Sequence, residues 1–461
     1  MGRTASASEN ALLYLEKFAK QQRCVIGLIL GQTCSTQDDI NIVHFAKTPE
    51  EKFEPVGDEF GGKSEEINLK TVSESWVADH AKHVTRMLPG GMFVLGIFVV
   101  SPDDIFSAGP IASKLKSILT LINKTISANK YMYGSPVDCS ERLIIHMSHT
   151  EKVTAKSIEV AQAGFFKPIE TNFNSKSNWL QLECYYEFDE LYPVVLKNNT
   201  GISVKDQFQE ILEAAHKSIE SSVVILDGKL RDSTDKLESQ FTKPKSKSGA
   251  KSDRDEEIQT VQVSILVPCV NSVEYMECEG TTHFSGIVAS RIFLNSKATI
   301  EQAITAVKQD IIRSLAARFT MHCDALIDDS LLPEVCFNEP PRRVYIRLPE
   351  SGNGKVFLCD YLFPGESPVE ALVSVKEMLD IPLPPLNRSL SLGTPTSKKR
   401  NVKKLIFICK FEKVFMFLYY SFMNVLINLE IVFSNTQVVD KLIFLFYYYM
   451  SRQYSADVLV L

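Results

Sequence analysis

The sequence predicts a mixed α/β protein built from two units, and three observations carry that expectation. Short apolar runs bounded by glycine or proline read as strands buried on both faces. Between them, apolar residues recur at spacings of three and four, the pattern of amphipathic helices. One charged, small-residue stretch near residues 240–257 interrupts both patterns. The 461 residues are 45% hydrophobic, enough for two or three cores at about 100–200 residues per domain, which excludes disorder throughout. Lys and Arg number 50 against 56 Asp and Glu, a net charge of −6, so no global basic field exists to hold nucleic-acid phosphates and nucleic acid is not an expected partner.

Leu12, Leu15, Phe18 and Ala19 mark the first helix, over residues 11–21. The run Val25-Ile26-Gly27-Leu28-Ile29-Leu30-Gly31 follows as a buried strand. A helix over 72–88, through Val72, Trp76, Val77, His80, Val84 and Leu88, stops at Pro89-Gly90-Gly91, where proline and glycine cannot continue it. Met92 to Val100 is a second buried strand, ended by Ser101-Pro102. A helix at 111–127, strands near 141–147 and 179–187, and a helix at 203–220 complete a first unit, 10–225. A charged linker is expected over 226–257, from Lys243-Pro244-Lys245 to Asp255-Glu256-Glu257.

The second unit, 258–381, opens with strands at Val261–Val267 and Phe284–Leu294. A long helix follows through Ala303, Ile304, Val307, Ile311, Ile312, Leu315 and Phe319. Arg343–Leu348 and Lys355–Leu362 read as a hairpin across Gly352-Asn353-Gly354, and a helix at 367–380 closes the unit. Residues 382–401 are a flexible Pro/Ser and basic stretch. Residues 402–450 form a hydrophobic tail broken by Lys410, Glu412, Lys413, Glu430, Asp440 and Lys441. Its longest uncharged run, Val414 to Leu429, is shorter than the roughly 20 residues that cross a bilayer, so the tail is expected to associate with membrane as a marginal span or an interfacial helix.

Ten cysteines lie far apart without a C-x-x-C pair, which excludes a zinc ribbon or thioredoxin motif and fits reduced, mostly buried thiols. The N-terminal stretch lacks the apolar core of a secretory signal, so the body of the chain is expected in the cytosol. There, the sequons at Asn123, Asn198 and Asn387 would go unused. Gly2 with Ser6 matches the short myristoylation pattern, one that chance often produces. His146 and His149 have metal-ligand spacing but no carboxylate cluster beside them except Glu151, so surface or capping histidines are the better reading. His322-Cys323-Asp324 has the residue types of a thiol hydrolase, yet adjacent helical residues point apart. Gly352-Asn353-Gly354-Lys355 lacks the spacing of a phosphate loop.

The strands Val25–Gly31 and Gly96–Val100 with Ser101-Pro102 resemble two signature strands of the MPN (JAMM) fold. Catalytic members of that fold place a glutamate before the first strand and read Gly-x-x-His-x-His-Pro along the second, because zinc needs imidazoles and its water needs a carboxylate base. Here Cys24 stands at the glutamate position, and Val99 and Ser101 at the histidine positions. The resemblance therefore implies a non-catalytic MPN-like N-terminal domain, with no catalytic residue, metal or cofactor.

Phe284-Ser285-Gly286-Ile287-Val288, Pro341 to Pro349 and Leu358-Cys359-Asp360-Tyr361-Leu362-Phe363-Pro364, taken with those strands, resemble the odorant-response-abnormal protein four homologue family over residues 10–380. That resemblance implies a membrane protein of the endoplasmic reticulum, a non-enzymatic scaffold in folding, maturation and delivery of a subset of G-protein-coupled receptors. It also implies a ubiquitin-fold-modifier-specific protease as partner, anchored at the membrane. The competing expectation is a divergent isopeptidase-like or thiol hydrolase acting on ubiquitin-like conjugates. After Ser397 the chain departs from the family's single C-terminal transmembrane helix.

Overall fold

A computed structural model of the protein describes residues 3–34, 39–51, 69, 71–107, 109–133, 141–161, 164–175, 178–194, 203–241, 259–268, 278, 280–327, 339–348, 356–381, 390–392 and 406–410. The chain divides into two compact units. The larger comprises Met1–Tyr186, Phe208–Cys269 and Val288–Lys399, and the smaller Glu187–Gln207, Val270–Ile287 and Arg400–Leu461.

The larger unit begins with a closed barrel of β1 (Thr4–Ser6), β2 (Val25–Cys34), β3 (Asp39–Lys47), β4 (Phe93–Val100), β5 (Glu141–Met147), β6 (Val153–Glu159) and β7 (Lys167–Asn172), in the order β1-β3-β2-β4-β5-β6-β7. The short β1 closes it, pairing in parallel with both β3 and β7. Four helices accompany these strands: α1 (Glu9–Lys20), α2 (Glu74–Met87), α3 (Pro110–Ser127) and the short α4 (Lys130–Tyr133). β4 and β5 are parallel, so the chain must cross over between them, and α3 and α4 make that crossover.

Local chemistry sets the helix starts. The Ser8 hydroxyl accepts from the Ala11 N–H and the Ser73 hydroxyl from the Trp76 N–H, while Pro110 opens α3 where no N–H is required. Leu15 and Phe18 of α1 pack against Val25, Ile29, Phe45, Phe98, Leu143 and Ile145 of the strands. Ile26, Leu28, Leu30, Ile97 and Val99, on the other face of β2 and β4, are equally buried, which is why both strands read as unbroken apolar runs. Side chains are excluded at three glycines there, Gly27, Gly31 and Gly96. A Cβ at Gly96 would strike the Leu143 carbonyl of β5, and one at Gly27 the Ala46 carbonyl and the Phe98 ring.

Beyond the barrel the larger unit contains the first part of β8 (Trp179–Val194), most of α5 (Val204–Glu220), β9 (Val223–Leu226), α6 (Leu237–Phe241) and β10 (Thr260–Leu266). It continues with the second half of β11 (Gly280–Asn295), α7 (Ile300–Ile327), β12 (Arg342–Arg347), β13 (Phe357–Leu362), α8 (Pro368–Leu379) and β14 (Leu390–Leu392). β10 runs parallel to β8 and antiparallel to β9. β12 pairs antiparallel with β13 and β14. Reciprocal capping starts both long C-terminal helices, Thr299 with Gln302 for α7 and Ser367 with Glu370 for α8. In the smaller unit, β15 (Ile406–Lys410) pairs antiparallel with Thr281–Ser285 of β11, and the His283 ring meets the Asp189 carboxylate at 2.6 Å.

The mixed α/β class is the one the sequence predicts, but segments assigned to two domains, 10–225 and 258–381, share the larger unit. The linker expected over 226–257 also begins with ordered chain. Leu237 and Phe241 are buried one helical turn apart in α6, too short a segment for its periodicity to stand out among Lys, Asp and Ser. Residues 242–258, the connecting turn 349–355 and the tail, apart from Ile406–Lys410, lie outside the described residues. Among the described residues no helix is long and apolar enough to cross a membrane.

Candidate functional site

Cys24 immediately precedes β2, and Val99 and Ser101 stand at the end of β4. The antiparallel register pairs Val25 with Val100 and Ile26 with Val99, so all three positions lie at one end of this ladder. Cys24 is half-buried, while Val99 and Ser101 are fully buried. Val99 offers only methyl groups, so the three positions do not form a zinc ligand set.

A histidine does reach Ser101, from β5 rather than from β4. His146 Nε2 lies 3.2 Å from the Ser101 hydroxyl and 3.2 Å from its carbonyl oxygen. A carbonyl only accepts, so Nε2 carries the proton and donates, and this nitrogen is not a base toward the hydroxyl. Burial holds the imidazole below its ordinary pKa, despite the Ser101 carbonyl and the nearby Asp104 and Asp103. The Ser101 N–H donates to the Met147 carbonyl. Together these bonds fasten the loop after β4 onto the end of β5, a structural role for a Ser–His pair that superficially has hydrolase chemistry.

His146 is thus a buried strand residue and not the surface or capping histidine expected from the sequence. His149, in the turn beyond, has a buried Nε2 without a partner. Glu151 is directed elsewhere, to Lys20 at 3.8 Å. Among the described residues no group of three or more His, Cys, Asp or Glu side chains is arranged to hold a metal ion.

His322 and Cys323 are both buried on α7 and Asp324 is exposed, so the three do not converge. The His322 ring stacks on Phe208, 6.2 Å between centroids, and burial pushes its pKa down to about 4. Gly352–Lys355 lies outside the described residues. Of the cysteine side chains described, Cys184, Cys323 and Cys359 are buried, Cys24 half-buried and Cys278 exposed. Asn123, the first sequon, accepts from Arg142 Nη2 at 2.8 Å on α3.

The most densely bonded polar cluster is one that the sequence reading missed. Asp310 of α7, fully buried, accepts from Arg343 Nη1 at 2.7 Å and Nη2 at 2.8 Å, from the Gly90 N–H at 2.7 Å and from the Ser290 hydroxyl at 2.7 Å. Burial alone would raise the carboxyl's pKa, but the Arg343 charge and these hydrogen bonds outweigh it and hold the carboxyl below its usual range. Arg343 Nη2 also lies 3.2 Å from the Cys359 sulfur, whose thiol donates to the Met87 carbonyl. Arg313 Nη1 donates to the Leu88 and Pro89 carbonyls. A Cβ at Gly90 would strike the Ala306 carbonyl. The α2–β4 turn, α7, β11, β12 and β13 therefore meet at one junction of the larger unit, with the side chains of Asp310, Arg313, Arg343 and Cys359 buried.

A second tie fixes the end of α8 to the barrel. The Tyr14 hydroxyl donates to Asp380 at 2.8 Å, His44 Nε2 to the Leu379 carbonyl at 2.8 Å and His80 Nε2 to the Met378 carbonyl at 2.7 Å. Imidazole N–H groups thus satisfy carbonyls that a helix C-terminus leaves open. Burial, and then the Asp380 charge, raises the pKa of Tyr14 and keeps it a donor.

Comparison with known proteins places these features in context. The family model described as "ODR4-like: Odorant response abnormal 4-like" matches residues 27–388. The chain is similar to the "Protein odr-4 homolog" of Drosophila melanogaster, 27% identical over 428 residues, covering 83% of this chain and 86% of that protein. It is similar also to the "Protein odr-4 homolog" of Homo sapiens, 28% identical over 396 residues, covering 82% and 84%. Among solved structures, the crystal structure of UfSP from C. elegans aligns with a TM-score of 0.43 and 7% identity, over 86% of this chain and 60% of that one, a score too low to carry an argument.

Proposed function

This chain belongs to the Odorant response abnormal 4-like family, and from that premise we propose that it is a non-enzymatic scaffold or adaptor in the folding, maturation or trafficking of a subset of G-protein-coupled receptors. The family match over residues 27–388 carries the proposal, because it takes in most of the barrel, from Gly27 in β2 through β7, together with the Asp310–Arg343 junction and α8. In this reading residues 10–225 are a non-catalytic MPN-like domain. The scaffold recruits a ubiquitin-fold-modifier-specific protease to the endoplasmic reticulum, its soluble parts face the cytosol, and the tail 402–450 associates with the membrane. Three features support a non-enzymatic role: Val99 has no donor atom, the Ser101 hydroxyl is held against a donating imidazole, and Cys323 and Cys359 are buried.

The test uses cells lacking this protein, with surface delivery of a G-protein-coupled odorant receptor as the readout and capture of the protease on the tagged full chain as the second. The full chain, and its Ser101→Ala and Cys323→Ser variants, are expected to restore delivery and retain the protease. Failure of the full chain to restore delivery overturns the trafficking role. Loss of delivery in either variant at normal abundance overturns the non-enzymatic one.

A further inference from the structure

A cleft of about 490 Å³ opens in the larger unit where the last turn of α1, the approach to β2, the end of β3 and the end of α8 converge, lined by Lys17, Phe18, Gln21, Arg23, Lys47 and Asp380. Three cationic side chains thus share one cavity with a single carboxylate. That carboxylate is engaged, accepting from the Tyr14 hydroxyl at 2.8 Å.

The cations are not needed to finish α1. Its last carbonyls are met by backbone donors: Lys17 O by the Gln21 N–H at 3.3 Å, Ala19 O by the Gln22 N–H at 3.0 Å and Phe18 O by the Arg23 N–H at 3.1 Å. Gln22 makes this closure by taking a positive φ of 52°. Among the described residues neither Lys17 nor Arg23 forms an ion pair, and Lys47 has an exposed one with Glu50 at 3.5 Å, a contact of the kind worth little. Lys17 also complements the dipole at the end of α1 and lies 5.5 Å from the Phe18 ring centroid, contacts that leave its charge uncompensated, and three like charges gathered in one cleft favour an anionic guest. The lining's excess of two positive charges matches a phosphate monoester, which carries about −1.5 to −2 near neutral pH and offers three acceptor oxygens; a lone carboxylate would leave one cation unmatched. The planar fork of Arg23 suits two of those oxygens, and the lysine ammonium groups act as point charges on the third.

We propose that this cleft binds a phosphate monoester, presented either on a phosphoinositide headgroup or on a soluble phosphorylated molecule. The full chain is titrated with fluorescein-labelled inositol trisphosphate, and is floated with phosphatidylcholine vesicles with and without phosphatidylinositol monophosphate. Saturable binding is expected. The combined Lys17→Gln, Arg23→Gln and Lys47→Gln substitution should weaken it at least about tenfold, as loss of charge-assisted hydrogen bonds does, whereas Lys205→Gln and Lys229→Gln should leave it unchanged. Arg23→Lys, which keeps the charge and removes the fork, should weaken it severalfold and serves if the triple variant folds poorly. Asp380→Asn should tighten binding severalfold, since asparagine tolerates the positive φ of 51° at this position and still accepts from Tyr14. Binding of the soluble probe without flotation on the doped vesicles assigns the site to a free ligand, and flotation with the doped but not the undoped vesicles assigns it to a lipid headgroup. No saturable binding in either arm, binding indifferent to both Arg23→Lys and the triple substitution, or weakening by Asp380→Asn would overturn the proposal.

Discussion

The guanidinium of Arg343 grips the carboxylate of Asp310 through both Nη atoms, at 2.7 and 2.8 Å, with both side chains sealed from solvent. Removing one partner strands the other charge. Arg343→Met is therefore expected to destabilise the protein by about 3–5 kcal/mol, whereas replacing the pair together, as Arg343→Met with Asp310→Leu, should recover much of that loss. Denaturant unfolding of the variants checks this. The Asp310 carboxyl is held below its unfolded value of about 3.9, so its contribution is complete above that pH and is lost as pH falls through the folded value.

The histidines at the end of α8 set a milder acid limit. Burial pushes His80 down to about 4 and holds His44 below its ordinary value, while an unfolded imidazole titrates near about 6.5. Between these values the unfolded chain binds more protons, so stability rises with pH through the window and is complete above it. Acidification from pH 7 to 4 should cost on the order of 3 kcal/mol from His80 alone. In His80→Gln, which keeps a donor for the Met378 carbonyl, the slope of melting temperature against pH should flatten.

Gly96 and Gly109 should respond unequally to alanine. A Cβ at Gly96 strikes the β5 backbone, whereas one at Gly109 meets nothing within 4 Å. Overpacking at Gly96→Ala should cost about 1–3 kcal/mol, and Gly109→Ala less than about 1 kcal/mol, the loss of a preferred N-cap residue alone. Thermal melts of the two variants side by side distinguish them.

Ser101→Ala removes one acceptor from His146 and leaves the carbonyl acceptor in place, so a loss of about 1 kcal/mol is expected. Purified full chain should carry no stoichiometric zinc by elemental analysis. Zinc at one equivalent, lost in His146→Ala or His149→Ala, would revive the hydrolase reading.

Much of this architecture is legible in the sequence because burial on both faces writes itself as an unbroken apolar run. β2 and β4 stand out for that reason, and α7 for apolar residues recurring at spacings of three and four. β3 does not, since Asn41, His44 and Lys47 interrupt Ile42, Val43 and Phe45, and β1 is only three residues long. The junction was half visible: Asp310 sits among Val307, Ile311 and Ile312 on a buried helix face, a placement that demands a partner. Its partners lie 33 residues away in Arg343 and 220 away in Gly90, and no local spacing reveals such pairings. The cleft at Lys17, Arg23 and Lys47 was hidden likewise, because three surface cations in separate elements become one site only when α1 and β3 meet.

The bond from Tyr14 to Asp380 spans 366 residues of chain, and that separation sets an order of events on the ribosome. At about 5–20 residues per second, the first helix is made roughly 20–70 s before the residue that completes its setting. Through that interval the nascent barrel carries His44 and His80 without the α8 carbonyls they donate to, so a growing chain should depend on chaperones until translation has passed Asp380, and a message truncated before that codon should yield a product that is cleared rather than stored.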